Sequence, residues 1–107
     1  MGRYITTTGT AGSVVRYNAG TSYQAIVNDR IICTAGGQTI TLPAVGTCLD
    51  GDTVQIIDAF GNSSNSSITV ARNGANIQGL SQDMTINVNN ACVTLVFTTA
   101  VGWLITR

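Results

Sequence analysis

Apolar and polar residues alternate one by one along much of this chain. Within residues 51–80, Val54 and Ile56 alternate with Thr53 and Gln55, and Ile68 and Val70 alternate with Thr69 and Ala71. A period of two sets one row of side chains in a core and the other toward solvent, so both segments are predicted strands. Asn73-Gly74 can supply the two positive-φ positions of a tight hairpin. The stretch therefore predicts strand, polar turn, strand, Asn-Gly turn, strand, and the rest of the chain is arranged around it.

The same pattern continues on both sides. Tyr23, Ala25 and Val27 form one row of a first strand, Asn28-Asp29 breaks it, and residues 30–33 resume. After the Ala35-Gly36-Gly37 turn, Ile40 and Leu42 face inward and Thr39 and Thr41 outward, until Pro43 ends the strand because it has no amide for a ladder. Residues 44–50 are a loop closing at Asp50-Gly51, and residues 60–67 (FGNSSNSS) are a loop tip of turn formers. Met84, Ile86 and Val88 make one inward row, residues 92–98 are apolar on both faces and so predict a central strand, and Trp103 and Ile105 share a face of the last strand. Residues 1–20 fit neither period and are predicted as an extended N-terminal arm, leaving residues 21–107 as a single β-sandwich domain. Turn signals about every eight to twelve residues, with no visible longer repeat, predict an all-β fold, an antiparallel β-sandwich or jelly-roll-like barrel.

Composition sharpens this. The 107 residues contain no Lys, Glu or His; the five basic residues are all Arg and the five acidic residues all Asp. Losing Lys and Glu removes most surface-helix vocabulary, and Thr, Val, Asn, Gly and Ser take its place. With zero net charge and 9% charged residues there is no basic stripe for nucleic acid. No run is long enough and apolar enough for a membrane-spanning helix. The start lacks the basic-then-apolar layout of a secretion signal and reads as the start of a whole gene product, so the Asn-x-Ser patterns at Asn62 and Asn65 read as turn residues. Edge strands are normally blunted with Lys, which is absent here, so neighbouring subunits are the expected cover.

Candidate chemistry is sparse. Without His the usual general base and triads are missing. Cys33, Cys48 and Cys92 have no zinc-ligand spacing; Cys33 and Cys48 could bridge across a turn, but free thiols are the favoured reading, with Cys92 a small buried hydrophobe. Asp50 and Asp52 flank Gly51; paired carboxylates for glycoside cleavage or a calcium loop are conceivable, but turn chemistry is the favoured reading. The Thr rows suggest an ice- or glycan-binding face, against the simpler reading that Thr suits the solvent side of a strand. Trp103 and Phe97 are expected in the core. The enzyme class is disfavoured, and no catalytic, metal or cofactor-binding residue is assigned.

From Tyr23 onward the order of parts resembles a family of tailed-bacteriophage virion proteins found in tail fibres, tail-associated proteins and head decorations. The parts are Tyr23-Gln-Ala-Ile-Val-Asn-Asp29, Thr39-Ile-Thr-Leu-Pro-Ala44, Gly51-Asp-Thr-Val-Gln-Ile-Ile-Asp58, Ser67-Ile-Thr-Val-Ala-Arg72, Asn76-Ile-Gln-Gly79, Val93-Thr-Leu-Val-Phe97 and Gly102-Trp-Leu-Ile105. The MGRYI start is similar to small structural proteins of cyanophages. The resemblance implies a homotrimeric, non-enzymatic part of the virion, assembled in the host cytoplasm, whose partners are its own copies and capsid or tail proteins. Because the chain is nearly all module, a capsid-decorating or tail-associated component is favoured over a receptor- or glycan-binding fibre tip built on residues 60–67 and Trp103. Contacts are expected from Arg3, Tyr4 and Ile5 of the arm and from edge-strand backbone.

Overall fold

Nine strands and one short 3-10 turn make up the computed structural model, which describes the backbone of residues 14–18 and the whole of residues 22–106. The strands are β1 (Val14–Asn18), β2 (Ser22–Gln24), β3 (Asp29–Cys33), β4 (Thr39–Thr41), β5 (Thr53–Asp58), β6 (Ile68–Ala71), β7 (Met84–Ile86), β8 (Cys92–Thr98) and β9 (Gly102–Thr106). The all-β expectation is met.

The chain moves back and forth between two sheets, ordered β1-β3-β5-β8-β9 and β2-β4-β6-β7. Each pass through one sheet is followed by a pass through the other, so same-sheet neighbours in the first six strands run the same way. Thus β1, β3 and β5 pair in parallel, as do β2, β4 and β6. Among the nine strands described, antiparallel pairing appears only where the coil closes, at β6–β7, β5–β8 and β8–β9. The antiparallel expectation therefore fails for the first two-thirds of the fold. Side-chain alternation has the same period in either direction and cannot distinguish them.

The coil also explains why no repeat was visible. Val14 lies beside Asp29 but Arg30 lies beside Gln55, offsets of 15 and 25 residues. In the other sheet Ser22 lies beside Thr39 and Thr39 beside Thr69, offsets of 17 and 30. Connections of such different length leave no fixed period to detect. The segment Val14–Asn18, read from sequence as part of the arm, is a strand of the five-stranded sheet.

The inward rows of both sheets meet in one apolar cluster. Ile31, Val54, Ile56 and Leu95 from one sheet and Ile40, Ile68 and Val70 from the other are fully buried. Trp103 is fully buried too and meets Phe97 edge-on, with ring centroids 5.2 Å apart at 68°. That geometry aligns the positive ring edge with the negative face of its neighbour.

Three local expectations are corrected. Asn73 and Gly74 both adopt positive φ (36° and 96°), and Ala75 N–H donates to Arg72 O, but the flanking segments do not pair as a hairpin. Instead β6 waits for β7, and residue Ile77 bridges Trp103. Val88 is exposed because β7 ends at Ile86. Cys92, expected to be buried, is exposed; it opens β8 opposite Ile57, where the alternation puts it on the outer face.

Gly102 is fixed by its surroundings. Its φ is +89°, and a Cβ there would land on the Asn76 carbonyl oxygen, the acceptor for Trp103 N–H at 2.8 Å. Gly102→Ala is therefore expected to lower stability by about 3 kcal/mol, combining left-handed strain with a backbone clash. Urea unfolding followed by Trp103 fluorescence measures this.

Candidate interaction surface

The carboxylates show what the polar residues of this fold do. All five aspartates accept hydrogen bonds from main-chain amides. Asp29 Oδ2 accepts from Ile26 N–H at 3.1 Å and from the Tyr23 hydroxyl at 2.8 Å. Asp52 Oδ2 accepts from Leu49 N–H at 2.8 Å, and Asp50 Oδ1 from Thr99 N–H at 2.6 Å, tying the 44–50 loop to the β8–β9 turn. Asp83 Oδ1 accepts from Arg72 N–H at 3.1 Å. These are the fasteners of turns, the role favoured for Asp50 and Asp52 from sequence.

Asp58 is the most heavily used. It sits buried at the end of β5 and accepts from Gly61 N–H at 2.7 Å, Asn90 N–H at 2.9 Å and Ser63 N–H at 3.2 Å. Burial pushes its pKa up, but the hydrogen bonds from Gly61, Asn90 and Ser63 outweigh this and hold the carboxyl below its ordinary range. Ser63 Oγ also donates to Val88 O, and Ser64 N–H donates to Asn89 Oδ1 at 2.9 Å. The 60–67 loop is thus clamped to the 89–90 turn. Sequence reasoning missed this hub, although Asp three residues before Gly61 is a signal for a side-chain-to-backbone turn.

The residues proposed for a glycan tip are placed elsewhere. Trp103 is fully buried and Phe60 packs half-buried against the core, so neither offers a stacking face. This removes the aromatic part of that reading. Arg3, Tyr4 and Ile5 lie outside the described residues.

The sheet borders are treated unequally. At β9 the outward amides of Trp103 and Ile105 donate to Asn76 O at 2.8 Å and to Gln78 Oε1 at 2.8 Å, and Gln78 N–H donates to Trp103 O at 2.7 Å. The 76–80 segment therefore seals this border from within the chain, and Gln78 (φ +54°) supplies the decisive side chain. No sequence signal marks it. Among the described residues β1, β2 and β7 each pair on one side only.

The outer faces differ as well. On the four-stranded sheet Ser22, Thr39, Thr69 and Thr85 stand side by side in one cross-strand row. On the five-stranded sheet Ile32, Ile57, Val96 and Leu104 remain half-buried beside a polar row in which Gln55 Nε2 donates to Thr94 Oγ1 at 3.3 Å. No helix among the described residues is long and apolar enough to cross a membrane. No group of three or more His, Cys, Asp or Glu among them is placed to hold a metal ion.

Two outcomes follow from these environments. Asp58 ionises more readily folded than unfolded, so its stabilisation is present above the ordinary carboxylate pKa and is lost as pH falls through the lower folded value. Asp58→Asn is expected to cost about 3 kcal/mol at pH 7, with the gap to the parent chain narrowing below about pH 4, as read from denaturant midpoints across pH. The thiols should separate by reactivity. Burial, aided by the Asp58 charge, raises the Cys33 thiol to about 11, and burial also raises Cys48, whereas Cys92 is exposed. Iodoacetamide at neutral pH should modify Cys92 alone in the folded chain and all three in urea, as counted by intact mass.

No protein-family model matches this chain, and no curated protein matches it either.

Proposed function

We propose that this chain is a structural component of a bacteriophage virion, a non-enzymatic homotrimer that decorates the capsid or attaches to the tail. The observation that carries this reading is the contrast between borders: β9 is closed by the chain's own Gln78, while among the described residues β1, β2 and β7 each pair on one side only. Unpaired strand edges are templates for another chain, and natural monomers blunt them with charge. Here the chain has no Lys, and its charged residues make up 9% of the total. Near-zero net charge suits a subunit held in an assembly better than a free monomer.

The aspartates support the non-enzymatic part, since each holds a turn. The motif order from Tyr23 to Ile105 supports the virion setting and, with it, capsid or tail proteins as partners and assembly in the host cytoplasm. Binding would rest on shape and main-chain hydrogen bonds between subunits and involve neither nucleic acid nor membrane.

Light scattering on the purified chain should give three times the chain mass of 11.1 kDa. Quantitative mass spectrometry of intact particles should then find either many copies, for a decoration, or a few, for a tail part. A monomer at every concentration, or absence from purified particles, would overturn the reading.

A further inference from the structure

At the border where β7 and β9 end their sheets, the two layers gape. The opening is an apolar cleft of about 270 Å³ whose walls include Met84, Ile86, Val88, Ala91, Val93 and Ile105. A smaller cleft of about 150 Å³ continues it, shares Met84 and Ile105, and is rimmed by Asp83. Val88 is 65% exposed and Ile105 38%, so branched aliphatic side chains stand in water at the mouth. The main-chain groups on the outer side of β7 border the same opening, because among the described residues β7 pairs only with β6. A strand laid here would find a hydrogen-bonding edge and an apolar trough together, the two requirements for adding a strand to a sheet.

The chain itself holds a segment of matching chemistry. Residues 1–13 lie outside the described residues and include Tyr4 and Ile5 followed by three threonines, Thr6, Thr7 and Thr8. Aromatic and β-branched residues are strand formers. The segment's only charged side chain is Arg3, and it contains no acid. Among the described residues Asp83 is the only charged one lining the two clefts; its side chain is 52% exposed, and its Oδ1 serves Arg72 while Oδ2 has no partner among them.

Position and reach bear on whose cleft the segment enters. β1, which the segment leads into, is the opposite border of the five-stranded sheet from β9. Thirteen extended residues reach about 45 Å, enough to leave one molecule and enter the next. A contact that joins one border of a molecule to the opposite border of another is head-to-tail, and such contacts close into rings when the rotation permits.

We infer that the N-terminal segment of one copy binds the β7–β9 cleft of a second copy, adding a strand to the free edge of β7 with Tyr4 and Ile5 in the trough and Arg3 at Asp83. This rests on the homotrimer reading and gives it a contact: three arms, three clefts, one ring.

The test uses the full chain with Cys92→Ser to remove the exposed native thiol. One preparation carries Ile5→Cys and another Val88→Cys; they are mixed, allowed to exchange subunits and oxidised mildly. A disulfide joining the two preparations, mapped by mass spectrometry, is the expected result. A double variant that links only within one chain, or a mixture that forms no mixed disulfide, would overturn the inference. A shortened chain lacking residues 1–8, and the rim variant Val88→Asp, should both lose the trimer in light scattering while keeping the parent circular dichroism. A shortened chain that stays trimeric would sink the arm contact and leave the homotrimer standing. A full chain that is already a monomer would sink both.

Discussion

The fold depends on parallel pairing between successive passes of the chain. Because β3 lies alongside β5 with Arg30 beside Gln55 and Cys33 beside Asp58, the inward residues of β3 stack on the inward residues of β5. Ile31 meets Ile56 in this way, and Ile40 meets Val70 in the other sheet. Both sheets then present continuous apolar rows to the same interior. A slip of one residue would turn a whole row outward, so the register is held by burial itself. β5 is central: β3 flanks it in parallel and β8 flanks it antiparallel, and it carries Val54 and Ile56 into the core.

A coil of this kind must change direction at every crossing, and the corners need partners for their main-chain groups. Carboxylates and side-chain amides supply them. Asp58 gathers three amides from two separate turns, Asn28 Oδ1 accepts from Thr53 N–H at 3.2 Å, and Asn73 Nδ2 donates to Leu42 O at 3.0 Å. The many Asn residues, and Asp as the sole acid, suit that task.

Much of the fold was legible because burial leaves a period. Val54, Ile56, Ile68, Val70, Ile40 and Leu42 are all fully buried where the alternation put them. Direction was not legible, since a strand alternates in the same way whichever way its neighbour runs. The Asn73-Gly74 signal was right about the backbone and wrong about the pairing: local φ values fix a bend, while the partner of β6 is chosen by the core. Cys92 and Val88 look buried as residue types but stand at positions the strand ends leave outside. Of the surface, the aspartate turns could be read in part from Asp followed by Gly. The sealing of β9 by Gln78 could not, because it depends on a loop arriving beside a strand residue, Ile105, that lies 27 residues further along the chain.

The most direct test of the account is the pattern of short interproton distances between β3 and β5 in solution. Nuclear Overhauser contacts should climb together along both strands, from Arg30 with Gln55 to Cys33 with Asp58. Contacts that rise along one strand while descending along the other would show an antiparallel pair and contradict the coil on which every other placement depends.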